Sequence, residues 1–250
     1  MEAYQASGDG IYRSFRVLSR YPRQVLILKN TQAVCGLSGR GRGLQKRMIE
    51  VQQSREFPIY VANLRKAEMG DPKYRAAVEE HRAVAASHLD RMREDARTTA
   101  AVIRDIYNSY SKEERTAIRK GESYPPATIQ KVIRQIFEVT GQCFSEHPRV
   151  DRLPEYKELA NTFIFRYSLC NYLLVLDWIS RGGFEGAKPE RLANDVVDMV
   201  FAAYGTYFDG LLTADAKMAR LHQEARVWLT GLFECDLPGG YLCAGPVAGA

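Results

Sequence analysis

The stretch Val25-Leu26-Ile27-Leu28-Lys29-Asn30-Thr31-Gln32 decides the predicted fold. Its first four residues form a short apolar run with β-branched content, which is typical of a buried strand. Two similar runs, near 58–62 and 206–213, are separated from it and from each other by helical patterns. Strands that alternate with helices pair in parallel through right-handed crossovers. The sequence therefore predicts an α/β fold, with a short parallel sheet flanked by helices and with helix dominant by residue count.

A long helical region separates the second and third predicted strands. Asp71-Pro72 is a strong helix start, and apolar residues then recur at a spacing near 3.6 as far as Tyr107. Further helices are predicted at 111–120, 126–142, 154–180 and 189–204. We expect a single domain over 1–235, in which 72–185 is an enlarged helical insertion. A loose tail is expected at 236–250.

Composition restricts the class of protein. Of the 250 residues, 46% are hydrophobic and 26% charged, values that argue against wholesale disorder. The net charge of +5 suits a polyanionic partner without requiring one. The five cysteines are odd in number, widely spaced and without a Cys-x-x-Cys pair, which favours reduced thiols. No apolar stretch is long enough to span a bilayer, so we expect a cytoplasmic protein without membrane association.

Polar or acidic side chains lie where predicted strands end or helices begin. They are Asn30, Glu68, Asp198 and Asp215. The carboxyl ends of parallel strands open onto one crevice, and Mg²⁺ and Mn²⁺ prefer carboxylate oxygens. Asp195 precedes Asp198 by three residues on the same helical face, so it is an alternative ligand.

Four short motifs together resemble the PIN domain, a family of magnesium- or manganese-dependent nucleases that mostly cut RNA. They are Asn30-Thr31-Gln32, Glu68-Met69-Gly70, Asp198-Met199-Val200-Phe201-Ala202-Ala203 and Thr213-Ala214-Asp215. In that family the first strand ends in Leu-Asp-Thr-Asn, and the last motif is Thr-x-Asp. The resemblance covers the first 70 residues and residues 190 to 230, and it does not extend to the helical insertion.

The resemblance implies a PIN-like endoribonuclease, of the toxin or defence-effector type, that hydrolyses RNA phosphodiester bonds. Its catalytic set is Asn30, Glu68, Asp198 and Asp215, and its metal ligands for Mg²⁺ or Mn²⁺ are Glu68, Asp198, Asp215 and Asp195. Basic residues beside the first predicted strand then contact RNA phosphates. These residues are Arg40, Arg42, Lys46 and Arg47. An inhibitor or antitoxin protein and a second copy of the chain are further partners compatible with this interpretation.

Asn30 departs from the family pattern, which has an aspartate at this position. The amide keeps an oxygen donor but loses the charge that balances the metal, so we expect weak or absent cleavage. Two alternatives to a nuclease therefore stay open. One is a non-catalytic PIN-like module that binds RNA or a protein partner. The other is an unrelated helical protein-interaction protein, in which residues 30, 68, 198 and 215 would lie far apart.

Overall fold

A computed structural model describes residues 11, 15–120, 125–148, 150, 153–183 and 189–233. Two short 3-10 helices, Leu18–Arg20 and Pro22–Gln24, precede the α-helices. The α-helices are α1 (Thr31–Cys35), α2 (Leu44–Met48), α3 (Val51–Glu68), α4 (Pro72–Asn108), α5 (Lys112–Arg119), α6 (Pro126–Glu146), α7 (Tyr156–Leu159), α8 (Phe163–Ser180), α9 (Pro189–Gly205) and α10 (Ala216–Phe233). The predicted tail at 236–250 lies outside the described residues.

The α/β prediction is wrong, because the described residues contain no β-strand and form an all-helical structure. Residues 25–29 are extended, but their β-type pairing is an isolated antiparallel bridge between Leu28 and Ile49. The second predicted strand lies inside α3, which continues through Pro58. The third, 206–213, follows the end of α9 and is an irregular turn. Apolar runs of three or four residues carry no measurable period, so they do not separate strand from helix.

The chain divides into two compact units. The first comprises Met1–Lys29 and Lys46–Asp95, and the second comprises Asn30–Gln45 and Ala96–Ala250. In the first unit, the aromatic rings of Phe15, Phe57 and Tyr60 pack together, with centroids 6.1 to 6.3 Å apart. Their contacts hold the N-terminal segment against α3, whose buried face also includes Val61 and Leu64.

The second unit is built around α8, which is buried on every side from Phe163 to Ile179 except at the half-buried Tyr167. A helix that is apolar all round must lie inside a protein rather than at its surface. The helices α1, α5, α6, α9 and α10 pack against α8 and cover it. The Oγ1 of Thr162 accepts a hydrogen bond from the Phe165 amide and caps the start of α8.

The segment 30–45 joins the second unit through backbone contacts. Asn161 donates its side-chain amide to the Gly39 carbonyl at 3.0 Å, and Gln45 donates to the Tyr207 carbonyl at 2.5 Å. A β-carbon at position 39 would collide with the backbone of Glu158, so this approach requires glycine. None of the described helices combines the length and apolarity needed to cross a bilayer.

Candidate functional site

The structure places Asn30 and Glu68 at helix ends. Asn30 is exposed, and its Oδ1 accepts a hydrogen bond from the Ala33 amide at 2.9 Å, so it caps the start of α1. Glu68 is the exposed last residue of α3. It belongs to the first unit, whereas Asn30, Asp198 and Asp215 belong to the second. The capping role of Asn30 explains its position without a metal.

Asp195 is buried, with 7% of its surface exposed, and is engaged on both carboxylate oxygens. The indole Nε1 of Trp178 donates to Oδ2 at 3.1 Å, and the Lys217 ammonium forms an ion pair with Oδ1. A metal ion at Asp195 would have to displace Lys217, whose own side chain is 15% exposed. Asp198 lies one turn further along α9 and is half-buried.

A second buried acid, Asp177, extends this charged region at the end of α8. Its Oδ1 accepts from the Arg181 Nε at 3.1 Å and pairs with the Arg220 guanidinium. Arg220 also lies 3.6 Å from the Glu224 carboxylate. The carboxylates Asp177 and Asp195 therefore connect α8 and α9 to α10 through cations. Sequence reasoning did not identify Asp177 as part of a charged cluster, because its partner Arg220 lies 43 positions away along the chain.

Asp215 caps the start of α10 and is exposed. Its Oδ1 accepts from the Met218 amide at 2.8 Å, while its own amide donates to Thr213 Oγ1 at 3.0 Å. The hydrogen bond from the Met218 backbone holds the pKa of Asp215 below its ordinary value. The Thr-x-Asp motif is therefore a helix-capping turn in this structure.

Replacing Asp215 by alanine should lower the free energy of unfolding by about 1 kcal/mol at neutral pH, while Asp215→Asn should cost only a few tenths. Because the pKa of Asp215 is lower in the folded state than in the unfolded state, the ionised carboxylate makes its full contribution to stability above the unfolded-state pKa. It is lost as the pH falls through the folded-state pKa. Urea unfolding at pH 7 and in a series below pH 4 measures both effects. A gap between wild type and Asp215→Ala that persists undiminished at the lowest pH would contradict the role of the charge.

The described residues contain no group of three or more His, Cys, Asp or Glu side chains arranged to hold a metal ion. Binding of Mg²⁺ or Mn²⁺ therefore stays a prediction from the sequence.

The first unit has an open groove of about 530 Å³, which we call the basic groove. Its residues come from the second 3-10 helix and the segment after it, from α2 and the residues that follow it, and from the first half of α3. They are Arg23, Val25, Leu26, Lys46, Ile49, Val51, Ser54, Arg55 and Pro58.

Hydrogen bonds fix the two walls of the basic groove. The Lys29 amide donates to the Met48 carbonyl at 2.8 Å, and the Glu50 amide donates to the Ile27 carbonyl at 2.7 Å. The Ile27 amide also donates to the Ser54 Oγ at 2.8 Å. These bonds hold the extended segment 25–29 beside the start of α3. The groove is therefore formed by backbone geometry and does not depend on one flexible side chain.

The basic groove is lined by aliphatic side chains, which we call its floor, and by cationic side chains, which we call its rim. Leu26 is 60% exposed and Val51 is 50% exposed, which is unusual for two large apolar side chains that line one depression. Arg23, Lys46 and Arg55 are exposed, and none of the described residues that line the groove is acidic. Within the described ranges, no ion pair joins any of these three cations to an acid.

The predicted RNA-contacting residues divide between different places. Lys46 lines the basic groove, and Arg47 is half-buried next to it in the sequence. Arg40 and Arg42 are exposed on the loop before α2, in the second unit. Sequence reasoning did not assign Arg23 or Arg55 to a site.

No protein-family model, curated protein or solved structure matches the chain. The all-helical fold of the described residues lacks the parallel sheet on which the PIN domain is built, so the PIN assignment is wrong. Two of the motifs that carried it have another local cause, because Asn30 and Asp215 are helix caps. The alternative ligand Asp195 is an ion-pair partner. Short acidic motifs at helix starts arise from capping alone.

Proposed function

We propose that this chain is a helical protein-interaction protein whose basic groove binds an acidic, amphipathic peptide segment of a partner protein. The observation that carries the proposal is the pairing of an exposed aliphatic floor with three cations, without an acid among the described residues that line the groove. A peptide that places one or two apolar side chains on the floor and carboxylates beside the rim is complementary to both parts.

The floor supplies most of the expected affinity. Removing a Leu, Ile or Phe side chain of the partner from water contributes about 1.5 to 3 kcal/mol. Each ion pair at the exposed rim contributes only about 0.2 to 1 kcal/mol, and salt weakens it. The cations therefore select against basic and neutral partners and speed up association, while the aliphatic residues determine how long the peptide stays bound.

The composition of the floor favours a peptide over RNA. Single-stranded nucleic acid is held by bases stacked on aromatic rings along a cationic track. The floor of the basic groove consists of Val25, Leu26, Ile49, Val51 and Pro58, without an aromatic ring. RNA binding and metal-dependent RNA cleavage stay predictions that the same experiments can detect.

A peptide-display selection on the full chain tests the proposal. Wild type should enrich sequences in which Leu, Ile or Phe is flanked by Asp or Glu, and Lys46→Glu/Arg55→Glu should lose this enrichment. The matched control is Arg65→Glu/Arg91→Glu, which makes the same charge change at exposed positions of the first unit outside the groove. The control should enrich the same sequences as wild type.

The affinity of a selected peptide is then measured by fluorescence anisotropy at low salt. Loss of the two cations should weaken binding about tenfold, and Leu26→Asp should weaken it at least as much because a charge replaces part of the floor. The proposal fails if no acidic-apolar sequence is enriched, or if enriched peptides bind the charge-reversed variant as well as wild type. A 12-nucleotide RNA that binds through Lys46 and Arg55 in place of peptides would favour the RNA interpretation. RNA cleavage abolished by a chelator would favour the nuclease.

A further inference from the structure

A cavity of about 190 Å³ lies inside the second unit, between the C-terminal part of α4, α6 and α8. Its walls are largely apolar and include Val102, Ile106 and Val139. Val102 is 40% exposed, and Glu146 is exposed at the end of α6, so the cavity has a mouth on the side of these two residues. It is separate from the charged region around Asp195 and does not include residues of the basic groove.

Two polar side chains that line this cavity are buried. Asn171 is 7% exposed and Ser168 is 3% exposed, and both belong to α8. The Asn171 Nδ2 donates to the Tyr167 carbonyl at 2.9 Å, which fixes the orientation of the amide. In the described part of the chain, Asn171 Oδ1 has no hydrogen-bond partner. An unsatisfied buried group of this kind costs about 1 to 3 kcal/mol, which a ligand can recover.

The size and chemistry of the cavity define the class of ligand. An apolar cavity of about 150 Å³ holds benzene, so this one accommodates a single ring with one small substituent. Asn171 Oδ1 can only accept a hydrogen bond, so the substituent must carry a hydrogen on oxygen or nitrogen. The carboxylate of Glu146 at the mouth repels anions. Burial raises the pKa of Tyr167 to about 12, so its hydroxyl also stays neutral.

We propose that this cavity binds a compact, uncharged molecule of one ring that carries a hydroxyl or amino group, with that group donating to Asn171 Oδ1. The Ser168 hydroxyl can donate to the same substituent when it is an oxygen. The proposal does not depend on the basic groove, because every lining residue belongs to the second unit. A failure of peptide binding would leave it unaffected.

Phenol and toluene are the probes, with binding to the full chain measured by titration calorimetry and ligand-detected NMR. The two molecules have nearly the same shape, but only phenol can donate to Asn171. In Asn171→Leu, which removes the acceptor at similar volume, the preference for phenol over toluene should fall about tenfold. Val139→Phe should fill the cavity and abolish binding of both probes. Val227→Phe, at a site 56% exposed on α10, is the matched control and should bind as wild type does.

Protection of Cys143 gives a readout on the unmodified protein, which matters if Val139→Phe fails to fold. Cys143 lines the cavity and is half-buried. Phenol should slow its alkylation by N-ethylmaleimide several-fold, as followed by peptide mass spectrometry, without slowing that of Cys35. Absence of phenol binding, or an unchanged phenol preference in Asn171→Leu, would overturn the proposal and assign the cavity to ordered water. If Val139→Phe binds phenol as tightly as wild type does, phenol binds at a site other than this cavity.

Discussion

Arg166→Met should lower the free energy of unfolding by about 3 kcal/mol, because the guanidinium satisfies buried carbonyl groups that no methionine can reach. Arg166 is 4% exposed. Its Nε donates to the Ala160 carbonyl at 2.7 Å, and its terminal nitrogen donates to the Thr206 carbonyl at 2.6 Å. Its guanidinium also lies 3.8 Å from the centre of the Tyr207 ring. Methionine keeps the length of the side chain, so the loss reports mainly the polar contacts.

Urea unfolding followed by circular dichroism measures this loss. The control is Arg134→Met on α6, where the arginine side chain is 67% exposed and lies 3.7 Å from Glu138. That substitution should change the free energy of unfolding by less than about 0.5 kcal/mol. If the two substitutions differ by less than about 1 kcal/mol, the polar contacts of Arg166 do not connect the start of α8 to the turn after α9 as described.

Asp195→Asn should cost about 2 to 3 kcal/mol, because it leaves the mostly buried ammonium of Lys217 without its partner charge. The amide oxygen of asparagine can still accept from the Trp178 indole, so the variant removes the ion pair and little else. The expected cost lies below the usual range for a fully buried pair, because the Lys217 side chain keeps 15% of its surface in water.

A second substitution separates the charge from packing. Adding Lys217→Met to Asp195→Asn should recover at least half of the lost stability, because no uncompensated charge then remains buried. Glu190→Gln, at an exposed position on the same helix α9, should be neutral within about 0.5 kcal/mol. If Asp195→Asn is as well tolerated as Glu190→Gln in urea unfolding, the carboxylate does not stabilise the helix contacts.

The long helices were predictable because their apolar spacing and start signals extend over many residues. Asp71-Pro72 predicted the beginning of α4, and the period that ran to Tyr107 matches its end at Asn108. The helices predicted at 111–120 and 189–204 are confirmed as α5 and α9. The one predicted over 154–180 is interrupted at Ala160–Thr162, where the Thr162 cap starts a separate helix.

The short elements and the candidate sites were not predictable in the same way. Val25–Leu28 is extended, as expected, but whether an extended segment joins a sheet depends on neighbours far along the chain. The basic groove exists because this segment lies beside residues 46–58, and Lys46 alone was identified by its charge. Asn171 and Ser168 lie in an otherwise apolar helix, and no pattern in the sequence shows that their oxygens line a cavity. An acid near a helix start is equally compatible with a cap, an ion pair or a metal ligand. The sequence alone therefore could not assign the roles of Asp195 and Asp215.

Helix α8 is made long before the helices that cover it are complete. During synthesis its apolar surface leaves the ribosome while α9 and α10, two of the helices that pack against it, are still being added. A nascent chain of this protein therefore exposes an apolar helix until α9 and α10 have left the ribosome, and we expect it to be prone to aggregation during that interval. Slow translation between codons 181 and 233 should increase aggregation of the newly made protein more than slow translation before codon 150.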